Sequence, residues 1–304
     1  MFPSDFSKLP PILLLLRPHQ WAKNVLLFLP ALLAHRFWEG SVLLDGVLAV
    51  ACFSLMASSV YVLNDYLDVE ADRRHPAKQT RPLAAGTFPM KLAPPLFGAL
   101  ALTALAAAGL LLPRAFSLIL ILYLVSNLLY SFKLKHVPIL DVVFLTLMFV
   151  LRIYAGGVAC GIEVTDWLLS FSLFFFLSIA FAKRVQELKM AVDTDPSSTA
   201  RIRGYQPGDH LCITQIGICS GMLSVMVLAL YVRDGSVIEV YASPPLLWLL
   251  CPLMLYWIGR FWLLTLRGGM GDDPVLFAIR DKISYLILFA VGGVVQAAYW
   301  LEKM

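Results

Sequence analysis

The chain has 304 residues, 60% of them hydrophobic and only 14% charged, with a formal net charge of +4. A soluble domain carries about 45–50% apolar and about 25% charged residues, so a water-soluble globule is excluded, and a mean hydropathy of +0.78 leaves no room for a sizeable soluble domain. Lipid is the solvent this composition suits. Helix is the form its apolar runs must take, because backbone groups cannot go unpaired in hydrocarbon.

Residues 1–18 are expected to form a cytoplasmic arm or an interfacial helix. The apolar run 12–16 is too short for a secretory signal, and the polar Arg17-Pro18-His19-Gln20 follows it. Nine spanning helices are then expected, near 20–35, 41–64, 91–112, 115–131, 137–158, 166–190, 210–232, 244–266 and 282–302. Together they make one all-α transmembrane domain over 1–304. With nine spans, 18 of the 24 Lys and Arg residues fall on the side of the N-terminus. Arg36, Arg114, Arg233 and Lys303 fall on the other, and Arg152 and Arg260 lie within helices. Positive loops stay inside, so the N-terminus and the polar ends of helices 2, 4, 6 and 8 are expected in the cytoplasm. An even number of spans would spoil this asymmetry. The five cysteines show no metal-ligand spacing and sit in or beside apolar runs, which suits free thiols used as small apolar residues.

The end of the second helix carries Asn64-Asp65-Tyr66-Leu67-Asp68-Val69-Glu70-Ala71-Asp72. On one continuous helix, Asn64, Asp65, Asp68 and Asp72 fall at about 0, 100, 40 and 80°, an arc of clustered oxygens. Carboxylates this close repel unless a cation lies between them, and hard oxygen ligands suit Mg²⁺ bridging to phosphate. Arg73, Arg74, His75, Lys78 and Arg81 follow at once, with Pro76 and Pro82 shaping a loop. Acids beside bases make a candidate magnesium–pyrophosphate site. Positive-inside loops account for the number of those bases but not for their order.

Tyr130, Lys133 and Lys135 close the fourth helix, and Asp141 opens the fifth. These are either interfacial anchors or further lining of the same cavity. Lys183, Arg184 and Glu187 close the sixth; Lys183 and Glu187, four apart, either pair with each other or present a basic face to an anion. Asp272 and Asp273 precede Pro274 between helices 8 and 9 and suit a capped turn as well as a ligand contact. Arg260 lies about 10 Å inside the cytoplasmic end of helix 8, a functional position by default. Arg152 either snorkels outward or holds helices together, and His19 and Trp21 read as interfacial anchors.

These residues resemble the UbiA superfamily of intramembrane prenyltransferases, through the Asn-Asp-x-x-Asp-x-x-x-Asp cluster closing helix 2 and the nine-helix plan. Members carry a second Asp-rich motif after helix 6, where this chain has Ala182-Lys183-Arg184-Val185-Gln186-Glu187-Leu188. That departure is similar to the decaprenyl-phosphate phosphoribosyltransferase branch. The shared pattern includes Arg17-Pro18-His19-Gln20-Trp21-x-Lys23-Asn24, the run from Asn64 to Gly86, Tyr130-Ser131-x-x-Leu134-Lys135, Asp141, Leu151-Arg152 and Lys183-Arg184-x-x-Glu187-Leu188.

The resemblance implies transfer of 5-phosphoribose from phosphoribosyl pyrophosphate to a polyprenyl phosphate, with release of pyrophosphate. The product is a precursor of arabinose or ribose donors for envelope glycans. It implies Mg²⁺ on Asn64, Asp65, Asp68 and Asp72. Lys78 and Arg81 fall to the donor pyrophosphate, Tyr130, Lys133 and Lys135 to the 5-phosphate or the pyrophosphate, and Lys183, Arg184 and Arg260 to the lipid phosphate; Asp141 and Glu187 orient their neighbours, and Lys23 is a further substrate-binding residue. The setting is a bacterial inner membrane with the site facing the cytoplasm. The implied partners are the two substrates and the bilayer; no nucleic acid is implied, and a homo-oligomer is left open. Two other readings stand beside this one. The first is a prenyltransferase joining an isoprenyl diphosphate to an aromatic or quinone-precursor acceptor. The second is a transporter, which would spread its polar residues through the depth of the bundle.

Overall fold

The computed structural model describes residues 10–74, 78–194, 203–270, 277 and 281–301. His75, Pro76, Asp272, Asp273 and Arg280 lie outside the described residues. The described chain is helical throughout, without a strand. In order it forms α1 (Pro11–Leu16), a 3-10 helix (Pro18–Phe28), α2 (Leu29–Leu33), α3 (Gly40–Leu67), α4 (Val69–Arg74), α5 (Ala93–Leu111) and α6 (Arg114–Phe132). Then come α7 (Leu140–Cys160), α8 (Asp166–Thr194), α9 (His210–Tyr231), α10 (Gly235–Val240), α11 (Leu250–Leu266) and α12 (Lys282–Trp300).

Eight helices among the described residues are long and apolar enough to cross a bilayer. They match eight of the nine expected spans to within a few residues. The remaining one, 20–35, is not a continuous α-helix but the 3-10 segment followed by the five residues of α2. Pro30 removes the amide that an α-helix would bond to the carbonyl of Leu26. Side chains of the segment are also drawn to α3: Trp21 Nε1 donates to Ser58 Oγ at 3.0 Å and Asn24 Nδ2 to Ser54 Oγ at 2.9 Å. Trp21 therefore anchors to a helix rather than only to an interface. The described residues contain eight spans of the expected kind rather than nine.

The chain gathers into two compact units. The first comprises 1–133 with 151–164, the second 134–150 with 165–304. In the first, α3 is the hub, packed by α1, the 3-10 segment, α5 and α6. It is the most buried of the eight spans. Gly156 of α7 meets the 3-10 segment so closely that a Cβ there would lie 1.9 Å from the Leu27 carbonyl oxygen, so only glycine fits. Arg152 is buried among these elements. It donates to Asn24 Oδ1 at 3.1 Å and to the Tyr123 hydroxyl at 3.0 Å, and it lies over the rings of Phe53 and Tyr123. Of the two roles open to it, the structure gives it that of holding helices together.

In the second unit α8 packs along α9, and α11 packs on α8, α9 and α12. Trp262 Nε1 donates to Ser178 Oγ and Trp257 Nε1 to Ser284 Oγ, both at 2.9 Å. The five cysteines are free thiols.

Candidate active site

In the first unit the site begins where the apolar 28 residues of α3 run out. Asp68 is the C-cap, at φ −94° and ψ 7°. The chain turns there into α4, with Asp68 N–H donating to Asn64 O and Asp72 N–H to Asp68 O. The continuous arc expected from the sequence is thus interrupted, but Asp65 and Asp72 stay on one side of it. Both are buried, 2% and 3% exposed. Their carboxylates converge on one nitrogen: Arg81 Nη1 donates to Asp72 Oδ2 at 2.6 Å and to Asp65 Oδ1 at 3.1 Å. A second guanidinium, from Arg17, donates to the same Asp65 Oδ1 and lies over the Tyr61 ring at 5.2 Å. Asn64 Oδ1 accepts from the Ser131 hydroxyl at 2.6 Å, which ties α3 to α6.

The two arginines are held by their local backbone. Arg17 ends α1 in the left-handed region, φ 52°, immediately before Pro18. A non-glycine residue there carries strain of the kind that gathers at functional sites. Arg81 sits on the loop after α4, which is pinned by Leu83. That side chain is fully buried in a cluster with Leu15, Val62, Val69 and Ala93. Arg73 Nε adds a bond to the Ala84 carbonyl at 3.3 Å.

Among the described residues, no three His, Cys, Asp or Glu side chains stand close enough to hold a metal ion. The donor set nevertheless fits Mg²⁺. That ion is commonly bound by one or two carboxylates plus substrate phosphates, and two buried carboxylates already converge on one cationic nitrogen. Of the other expected donor-side residues, Lys23 lies half-buried in the 3-10 segment and Tyr130 half-buried on α6. Lys133 is exposed at the C-cap of α6 and Lys78 half-buried in the loop carrying Arg81.

The second unit holds a separate network. Asp141 is fully buried; its Oδ2 accepts from Arg184 Nε at 2.6 Å and its Oδ1 from the Tyr205 hydroxyl at 2.8 Å. Arg184, 1% exposed, also donates to Glu187. The Tyr205 hydroxyl in turn accepts the Ile139 N–H at 2.6 Å. Ile139 has φ 67°, an outlying conformation for a β-branched residue. Burial, reinforced by Asp141, pushes the Tyr205 phenol well above its ordinary range, so it stays a proton donor. Gly204 makes the approach: at φ 85° its Cβ would lie 2.4 Å from the His136 carbonyl oxygen. Arg203 Nε lies 3.7 Å from Glu187 Oε2. Lys183 is half-buried on α8, and Lys135 half-buried in the turn before α7.

Arg260 donates through both terminal nitrogens to Asp281, at 2.7 and 2.9 Å. Asp281 also caps α12 by accepting from Ser284 N–H and Oγ. Burial opposes ionisation of Asp281, but the bonds from Arg260 and Ser284 outweigh it and hold the carboxyl below its ordinary value. Leu255, Tyr256, Leu263 and Leu264 share one face of α11 with Arg260 and Arg267.

Reading the sequence missed Tyr205, and took Ser131 and Arg17 only as parts of a pattern. The one local signal near Tyr205 is the helix start behind it, where Gln206 and Asp209 form a capping box; a residue just before such a start often packs inward.

The pattern of the UbiA prenyltransferase family matches residues 25–279. An uncharacterized protein y4nM of Sinorhizobium fredii is 36% identical over 289 residues, covering 93% of this chain and 54% of that protein, so this chain spans about half its length. A decaprenyl-phosphate phosphoribosyltransferase of Mycobacterium tuberculosis is 32% identical, with 93% and 92% covered. The nodulation protein NoeC of Azorhizobium caulinodans is 33% identical with the same coverage. Among solved structures, a UbiA homolog from Archaeoglobus fulgidus bound to DMAPP and Mg²⁺ superposes with a TM-score of 0.68 at 18% identity, covering 94% of this chain and 99% of that one. The chain is a member of the UbiA prenyltransferase family.

Proposed function

We propose that this chain transfers 5-phosphoribose from phosphoribosyl pyrophosphate to a polyprenyl phosphate. The observation that carries the reading is the end of α8. Where the family resemblance expects a second acidic motif, this chain has Lys183, Arg184 and Glu187, with Arg184 buried against Asp141. A basic end suits an anionic lipid head better than a second metal. The name borne by the mycobacterial relative, decaprenyl-phosphate phosphoribosyltransferase, supports phosphoribosyl transfer to a polyprenyl phosphate.

In the proposed step a phosphate oxygen of the lipid attacks C1 of the ribose. The bond from C1 to the pyrophosphate oxygen breaks, and pyrophosphate leaves with the electron pair. A phosphate monoester is already anionic at neutral pH and needs no general base, only cations that hold it in line. Asp65 and Asp72, with Asn64 and Asp68 beside them, would hold Mg²⁺, which when bound would neutralise the charge developing on the leaving group. Lys78 and Arg81 grip the donor phosphates, and Lys23 is a further substrate-binding residue of the same unit. Tyr130 and Lys133 contact the 5-phosphate or the pyrophosphate, and Lys135 is a further phosphate contact. Lys183 takes the lipid phosphate, and Arg184, being buried, acts as a positioning residue through Asp141 and Glu187. The apolar face of α11 beside Arg260 and Arg267 is proposed to lie along the polyprenyl chain. The charged helix ends are proposed to face the cytoplasm, where phosphoribosyl pyrophosphate is found.

The test is transfer of label from phosphoribosyl pyrophosphate into the lipid phase by purified protein with polyprenyl phosphate and Mg²⁺, beside EDTA and Asp68→Ala controls. Mg-dependent transfer lost in the variant is the expected result. No transfer across several lipid lengths, with activity on an isoprenyl diphosphate and an aromatic acceptor, would replace this reading with ordinary prenyl transfer.

A further inference from the structure

The carboxylates of Asp65 and Asp72 are almost wholly buried, yet the two arginines that neutralise them are not. The Arg81 side chain is 27% exposed and that of Arg17 21%, against 2% for Asp65 and 4% for Asp72. A ligand arriving from solvent meets guanidinium groups first. Those groups occupy the point where the carboxylates converge, since Arg81 Nη1 is shared between Asp65 Oδ1 and Asp72 Oδ2 and Arg17 takes Asp65 Oδ1 as well. Two acids and two bases are thus balanced.

A divalent cation bridging the same oxygens would stand within contact distance of a guanidinium and be repelled by it. The conflict disappears when a diphosphate arrives, because its oxygens accept from arginine in bidentate fashion. Both arginines are mounted outside α3, one at the left-handed end of α1 and one on the loop pinned by Leu83. Each side chain is long enough to turn away while its backbone stays in place.

We propose that Arg17 and Arg81 are exchange cations. They compete with a divalent ion for Asp65 and Asp72 and give up those carboxylates only by moving onto the donor's diphosphate, so that metal and diphosphate enter together. Arg17 thereby becomes a substrate-binding residue. The inference rests on the magnesium–diphosphate reading of this cluster, but it is indifferent to which group the diphosphate carries.

The experiment measures Mn²⁺ binding by electron paramagnetic resonance on purified protein, with and without inorganic pyrophosphate, for wild type, Arg17→Gln, Arg81→Gln and the two Lys variants. In wild type, Mn²⁺ alone binds weakly and pyrophosphate strengthens it at least tenfold. Each Gln variant binds Mn²⁺ alone roughly 5- to 150-fold more tightly, the usual range of a coupling between two sites, while its affinity for pyrophosphate falls. The Lys variants keep the charge and stay near wild type for Mn²⁺ alone. Gln variants that bind Mn²⁺ no better than wild type, or worse, would overturn the exchange. So would a wild type that binds Mn²⁺ equally well without pyrophosphate, a result that needs no variant to fold. Absence of Mn²⁺ binding in every protein under both conditions would instead bring down the underlying metal reading, and this inference with it.

Discussion

Asp141 and Arg184 are a buried ion pair at 2.6 Å, 0% and 1% exposed in their side chains, and such a pair is asymmetric in its energetics. Removing one partner strands the other charge at a cost of about 3–5 kcal/mol, whereas replacing both with apolar groups of similar volume is often neutral. Arg184→Met is therefore expected to lower the thermal midpoint in detergent sharply, and Asp141→Leu with Arg184→Met to recover only part of it, because Glu187 and the Tyr205 hydroxyl each still lose a partner. Tyr205 sets an alkaline limit on the same network. An acid whose folded pKa is raised contributes stability that is complete below its unfolded value, about 10, and is lost as pH climbs above it. Wild type should lose stability from about pH 10 upward, and Tyr205→Phe should lack that component, as read by thermal melts across pH 8–11. The acids closing α3 are plain in the sequence because charge stands out beside an apolar span. Tyr205 is not, because a loop tyrosine is ordinary until the buried carboxylate it meets is known.

Loops place this chemistry as much as the spans do. Leu83 anchors the segment that presents Arg81, and truncating a fully buried leucine costs about 2–5 kcal/mol. Leu83→Ala is expected to lower stability by that order and to weaken pyrophosphate binding more than a comparable truncation at Leu247, which is equally buried but lies in the second unit. Gly204→Ala combines a positive φ with a contact 2.4 Å from the His136 carbonyl. It should cost more than about 1 kcal/mol, with hydrogen exchange at the Ile139 amide rising as Tyr205 is displaced. The eight long helices were legible as uninterrupted apolar runs. The 3-10 segment was not, because a stretch of about ten residues reads much the same in either helix. What decides it is Pro30 together with the pull of Ser54 and Ser58 on Asn24 and Trp21.

At the scale of the molecule, the eight long apolar helices among the described residues and family membership establish an integral membrane protein. The excess of Lys and Arg near one set of helix ends gives the orientation a direct check. In a cysteine-free background, a cysteine at position 78 should react with an impermeant maleimide only after the membrane is opened, and one at position 233 should react in intact cells. The opposite pattern would invert the proposed placement of the charged helix ends.

The sequence by itself determined the solvent, the helical class and the acid–base clusters at the helix ends, since these follow from composition and local order alone. Which charge meets which was decided by the tertiary structure. Arg17 reaches Asp65 across 48 residues, Arg184 reaches Asp141 across 43 and Tyr205 reaches the same carboxylate across 64. Partners that far apart are set by how helices pack and where loops are pinned, and no pattern along the chain encodes that. Arg81 and Arg184, read from the sequence as phosphate contacts, are both engaged with carboxylates in the fold, because burying an acid requires a cation beside it.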